Sequence, residues 1–124
     1  MKPQSAKAKG RKLQQWVRDQ LIETLEVDPE DIKSCSMGAG GEDVVMARAA
    51  REKFPFSVEC KNTEKLNIWN AYDQACANSN DYEPLVVIKK NKRKPLVVLD
   101  AESFIELYAE IQILINLSCN DRTS

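Results

Sequence analysis

The 124-residue chain contains no histidine. That absence excludes Ser-His-Asp and Cys-His triads, histidine-liganded zinc hydrolases and nucleases, and imidazole acid–base work. Chemistry is left to carboxylates, lysine, thiols or a metal held by oxygen. Aromatic residues are scarce at 6%, and four glycines and five prolines are too few for a low-complexity chain. The four cysteines, Cys35, Cys60, Cys76 and Cys119, form no CxxC pair and no zinc-ligand spacing. A chain that is 43% hydrophobic can build its own core, so reduced thiols are expected rather than a disulfide framework. No run approaches the roughly 20 apolar residues of a membrane span, and the polar start Met1–Lys9 holds no apolar signal core. The expectation is one domain over residues 1–124, soluble and intracellular, with no membrane partner.

Charge is balanced overall, at 18 basic against 19 acidic side chains, but unevenly spread. Residues 1–18 carry Lys2, Lys7, Lys9, Arg11, Lys12 and Arg18 with no acid, and residues 19–31 reverse this with six acids. A second basic cluster spans Lys89-Lys90-Asn91-Lys92-Arg93-Lys94. Two basic patches on a near-neutral chain suit a polyanion-binding face backed by an acidic one. A solvated arm and a lysine-rich turn would carry the same charges, and charge alone does not separate the two.

Leu13, Trp16, Val17, Leu21 and Leu25 fall at helical spacing, which predicts an amphipathic helix over about 9–26. Asp28-Pro29 predicts a capped short turn, with a brief strand over 32–35 after it. The glycine-rich segment 36–41 reads as a turn, residues 42–46 as strand, and 47–54 as a helical turn before Pro55. Phe56-Ser57-Val58-Glu59-Cys60-Lys61 alternates strictly and reads as a strand. A second amphipathic helix is predicted over 67–79, then a hairpin of 85–88 with 96–99 across the basic turn. Asp100 caps a final helix whose inner stripe is expected to be Phe104, Leu107, Tyr108, Ile111, Leu114 and Ile115. Trp16 and Trp69 are expected on inner faces, and residues 1–8 and 117–124 to be frayed. The resulting class is α/β, with a mixed central sheet flanked by helices.

Glu59 and Lys61, two apart on a strand, leave the same face while Cys60 points into the core. Such a pair is either a surface ion pair worth about 0–1 kcal/mol or a metal ligand beside a water-orienting lysine. Asp31-Ile32-Lys33 repeats the pattern without an acid-bearing strand ahead of it. Asp43 supplies that context for Glu59. An adjacent antiparallel pairing would set Asp43 beside Glu59, and two neighbouring carboxylates repel unless a cation sits between them. Mg²⁺ takes such oxygen sites and retains several waters. The Cys60 carbonyl could join Asp43 and Glu59 as a ligand, with Lys61 serving the attacking water. Glu42 should point away by strand alternation.

These residues together resemble the PD-(D/E)XK nuclease superfamily, most closely its small archaeal and phage Holliday junction resolvases. Lys9-Gly10-Arg11 matches the start of their first helix, Ser36 their turn serine, Asp43 their acid, Glu59 and Lys61 their final pair, and Gln74 a glutamine on the following helix. The resemblance runs over about residues 9–100 in element order. It implies a restriction-endonuclease-like core and a Mg²⁺-dependent endonuclease, with Mn²⁺ as a substitute. It also implies a homodimer acting on branched four-way DNA, in the host cytoplasm if the chain is phage-encoded. Asp43, Glu59 and the Cys60 carbonyl would hold metal and Lys61 the water, with Gln14 and Gln74 in support. Ser36, Lys9, Arg11, Lys12 and Arg18 would touch phosphates, which set register without reading sequence. The first-helix glutamate of the archaeal enzymes is replaced here by Gln14, which supplies no charge. Cleavage of ordinary or flapped duplex, or DNA binding without catalysis on the same fold, are the alternatives.

Overall fold

The structure is a computed structural model that describes residues 3–35 and 42–123. Helix α1 (Pro3–Leu25) leads into a 3-10 turn (Pro29–Asp31), then β1 (Ile32–Ser34), β2 (Val44–Met46), α2 (Arg48–Lys53) and β3 (Phe56–Asn62). Helix α3 (Ile68–Asn78), β4 (Glu83–Lys89), β5 (Leu96–Val98) and α4 (Ala101–Thr123) complete the chain. The five strands form one mixed sheet in the order β1-β2-β3-β4-β5. The β3–β4 pair, joined through α3, is parallel, and the other pairs are antiparallel. The α/β class with a mixed, helix-flanked sheet is therefore observed.

Alternation along β3 and β4 divides the core into two layers. Val58, Cys60, Leu85 and Val87 face α1, where Leu13, Val17 and Leu21 close the main cluster. Each such large aliphatic contributes about 1.5–3 kcal/mol by leaving water. Val86 on the other face packs against Ala71 and Ala75 of α3, with Ile88 and Val98 partly buried beside them. The two small alanines let α3 approach the sheet closely.

Local signals set the corners. Helix α1 stops at Glu26, whose φ of 55° is the left-handed conformation of a helix C-terminus. Asp28 then accepts the Glu30 N–H at 2.9 Å with Pro29 at the first position, as the sequence predicts. Arg18 donates to the carbonyl oxygens of Ile32 (2.9 Å) and Pro29 (3.0 Å), tying α1 to this corner.

Three expectations are corrected. Helix α1 begins at Pro3, six residues before the expected start, and α4 runs to Thr123. Trp16 is 44% and Trp69 81% exposed, so neither is core. The expected inner stripe of α4 is exposed along its whole length, because helical periodicity marks an apolar face without showing what covers it. The glycine-rich turn 36–41 lies outside the described residues.

Candidate functional site

Strands β2 and β3 pair at Val44↔Val58. One step along this antiparallel register sets Asp43 opposite Glu59, the juxtaposition expected from the sequence. Two backbone-linked bonds fix Asp43 there. Its N–H donates to the Val58 carbonyl at 3.0 Å, and its Oδ2 accepts the Cys60 N–H at 2.7 Å. That second bond is short because the acceptor is a carboxylate. Cys60 itself turns into the core, 6% exposed, and burial pushes its thiol well above the ordinary range. It is packing, not a nucleophile.

Glu59 is 5% exposed, which sets it apart from the surface ion pair its spacing also allowed. One carboxylate oxygen lies 3.7 Å from Lys61 Nζ. The other accepts from Asn78 Nδ2 of α3 at 3.4 Å. Burial, and after it the Asp43 charge, raise the Glu59 carboxyl above its ordinary value; Asn78 and Lys61 oppose them. Burial also raises Asp43, against the Cys60 N–H, Lys61 and Gln14. Both acids are therefore held in an environment that disfavours their charge, which is what an unneutralised carboxylate pair looks like.

Gln14 completes the corner from α1. It is 1% exposed and its amide hydrogen-bonds Asp43, while its Oε1 is buried without a hydrogen-bond partner. An unsatisfied buried carbonyl costs about 1–3 kcal/mol, so this oxygen is suited to a ligand that can bind it. Among the described residues no three Asp, Glu, His or Cys side chains gather to hold a metal. A cation at this corner would rest on the two carboxylates of Asp43 and Glu59, supplemented by neutral oxygens of Gln14 and the Cys60 backbone. That donor set, all oxygen and doubly negative, fits Mg²⁺ or Mn²⁺ and not a soft metal.

The two basic clusters converge beside this corner. Lys9 Nζ donates to Asn91 Oδ1 in the β4–β5 turn at 2.7 Å, and Asn62, next after Lys61, donates to the Lys9 carbonyl at 3.1 Å. Lys9, Lys12, Lys89 and Asn91 line one shallow cavity of about 340 Å³ between α1 and that turn. Arg11 and Lys12 are exposed and free to meet a polyanion. Arg18 is not, since its guanidinium is spent on Ile32, Pro29 and Asp19 (3.3 Å). Ser36 lies outside the described residues.

Gln74 is exposed on α3. The α3 residue that reaches Glu59 is Asn78, one turn further on the same face. Sequence reasoning also missed Arg51. From α2 it pairs with Glu42 in a nearly buried contact, donates to the Phe56 carbonyl at 3.0 Å and lies over the Tyr82 ring at 4.3 Å. This braces the segment just before Asp43 against the base of β3. A nine-residue separation across a helix start carries no recognisable signal. The family models, the curated proteins and the solved structures contain no match to this chain.

Proposed function

We propose that the chain is a metal-dependent DNA endonuclease of the PD-(D/E)XK type, selective for four-way junctions. The reading is carried by one observation: Asp43 and Glu59 stand opposite each other in a buried corner, with Lys61 two residues on and the unpartnered Gln14 oxygen beside them. Asp43, Glu59 and the Cys60 carbonyl would hold Mg²⁺ or Mn²⁺, with Gln14 Oε1 as a further donor. When bound, such a cation supplies charge stabilisation on a phosphoryl oxygen and a more acidic water.

The chain's own groups do the rest. Lys61, held 3.7 Å from Glu59, would donate a hydrogen bond to the attacking water and orient it. Asn78 holds the second Glu59 oxygen in place through its 3.4 Å bond. Lys9, Lys12 and Lys89 receive phosphates along the cavity next to the site, which positions a backbone without reading bases. Gln14 leaves the site with two negative charges instead of three, so divalent affinity depends strongly on both carboxylates.

The test is incubation of the protein with labelled four-way and linear DNA, in Mg²⁺ and in EDTA. Cleavage of the junction alone, abolished by EDTA, supports the proposal in full. Equal cutting of linear duplex would replace the junction subtype with a general endonuclease. Tight binding with no cutting in Mg²⁺ would assign a DNA-binding protein that retains the fold without the chemistry.

A further inference from the structure

The parallel pair β3–β4 ends at Asn62 and Lys89, and a second cavity, of about 200 Å³, opens between those ends, the start of α3 and the β4–β5 turn. Ligands of open α/β sheets collect outside the carboxyl ends of parallel strands. Leu66, Ile68, Ile88 and Leu96 supply the apolar lining. Ile68 is 41% and Leu96 51% exposed, so this lining faces solvent. The volume is below the roughly 300–1,000 Å³ of a site for a whole drug-sized molecule. It suits one flat ring system.

The rim is cationic. Lys90, Arg93 and Lys94 border the cavity and form no ion pair among the described residues. Glu64, the acid of the lining, is spent on the turn, where its Oε2 accepts the Asn91 N–H at 3.0 Å. An apolar pocket in a positive rim fits a ring attached to an anion. Trp69, next after Ile68, is four-fifths exposed and offers an uncovered indole face. Position ties this pocket to the acid pair. Val86 is the register partner of Glu59, and Ile88 that of Lys61, so the pocket opens on the sheet face that carries both. Neighbouring strands lie about 4.8 Å apart. A DNA strand advances about 3.4 Å per nucleotide, which sets the pocket about one or two nucleotides from a phosphate held at Lys61.

We propose that this pocket takes the base of one unpaired nucleotide of the bound DNA, with a flanking base stacked on Trp69 and the adjoining phosphates on Lys90, Arg93 and Lys94. The inference rests on the DNA reading given above and adds a feature of its substrate: a break in base pairing close to the cut. Apolar walls and an indole hold any base by its ring, so the pocket selects unpaired bases without reading sequence. Extruding a base costs least where it is already unpaired, so an interrupted duplex is favoured over a continuous one. A free nucleotide is the poorer occupant, because the cations are strung along the turn from Lys90 to Lys94 instead of gathered on one phosphate.

Binding is measured in EDTA, by competition against a labelled duplex, so that cleavage plays no part. Three unlabelled duplexes of one length are compared: fully paired, with one extra thymidine, and with an abasic residue in place of that thymidine. The thymidine duplex should bind about 10-fold more tightly than either of the others, the worth of one stacked base. Ile68→Ser and Trp69→Ala should each bring that ratio towards one. Both side chains are exposed, so an unchanged urea midpoint checks that each variant is folded. Equal binding of all three duplexes, an abasic duplex bound as tightly as the thymidine one, or a ratio that survives either substitution would overturn the proposal. Competition by micromolar thymidine monophosphate alone would overturn it in favour of a free-nucleotide site. A chain that cuts junctions without this selectivity would lose the pocket and keep the nuclease. A selective binder that never cuts would keep the pocket and lose the nuclease, and a chain that binds no DNA would lose both.

Discussion

Replacing Glu59 by glutamine distinguishes a metal-holding carboxylate from a structural ion pair. The variant loses the charge opposite Lys61, which, although Glu59 is buried, is a long 3.7 Å contact to a lysine 26% exposed and screened by water, worth about 1 kcal/mol. It keeps an acceptor for Asn78 Nδ2. It gains by removing a like charge opposite Asp43, worth about 0.2–1 kcal/mol on the scale of cross-strand pairs, and by no longer desolvating a carboxylate. Loss and gain are of equal size. The metal-free stability at neutral pH should therefore stay within about 1 kcal/mol of wild type, a Tm shift of about 4 °C or less. Magnesium should separate the two proteins. At ten times its Kd a cation that binds only the folded chain adds about 1.4 kcal/mol, and the variant should lose most of that increment. Urea melts of both proteins, each in Mg²⁺ and in EDTA, measure this directly. A loss of about 3–5 kcal/mol without metal would mark Glu59 as half of a structural buried pair. An undiminished magnesium increment in the variant would refute the reasoning outright.

Four further outcomes follow from the site and its surroundings. Asp43 and Glu59 have folded pKa values raised above their ordinary 3.8 and 4.5, so the folded chain binds more protons than the unfolded chain in that window. Metal-free stability should fall as pH rises from those ordinary values through the raised ones, then level off; the Asp43→Asn, Glu59→Gln double variant should flatten this part of the urea profile. Arg51→Met leaves the Glu42 carboxylate buried without its partner and should cost about 3–5 kcal/mol in urea, more than half of it recovered on adding Glu42→Gln. Arg18→Gln removes two bonds to backbone carbonyls and should cost about 1–3 kcal/mol without changing the salt dependence of DNA binding. Lys12→Gln should do the reverse, sparing stability and lowering the log–log salt slope by about 0.9.

The sheet and the acid pair were legible because short-range pattern determines them. Strict alternation over 56–61 defines which residues share a face, and an apolar strand beginning at Asp43 leaves one antiparallel register that buries Val44 against Val58. Asp28 and Asp100 cap through bonds to residues two and three away, with Pro29 at the first helical position, all of which sequence spacing encodes well. What failed depended on partners outside the local window. Arg18 has the same charge as Lys12, but only the α1–β1 corner shows that its guanidinium is taken. The six-residue stripe of α4 is periodic in the way a core helix is, and periodicity is silent on whether the cover comes from the same chain. Gln74 and Asn78 share a face of α3, and only the height of Glu59 on β3 selects the second. Arg51 and Glu42 needed α2 to fold back on the strand ahead of Asp43.

The most direct measurement is single-turnover cleavage of a labelled four-way junction by the wild type and by Asp43→Asn, with binding followed in parallel. The account predicts that the wild type cuts in Mg²⁺ and not in EDTA. The variant should bind the junction with unchanged affinity and cut it about 100-fold more slowly or not at all. Equal cutting by both proteins, or a wild type that binds and never cuts, would contradict it.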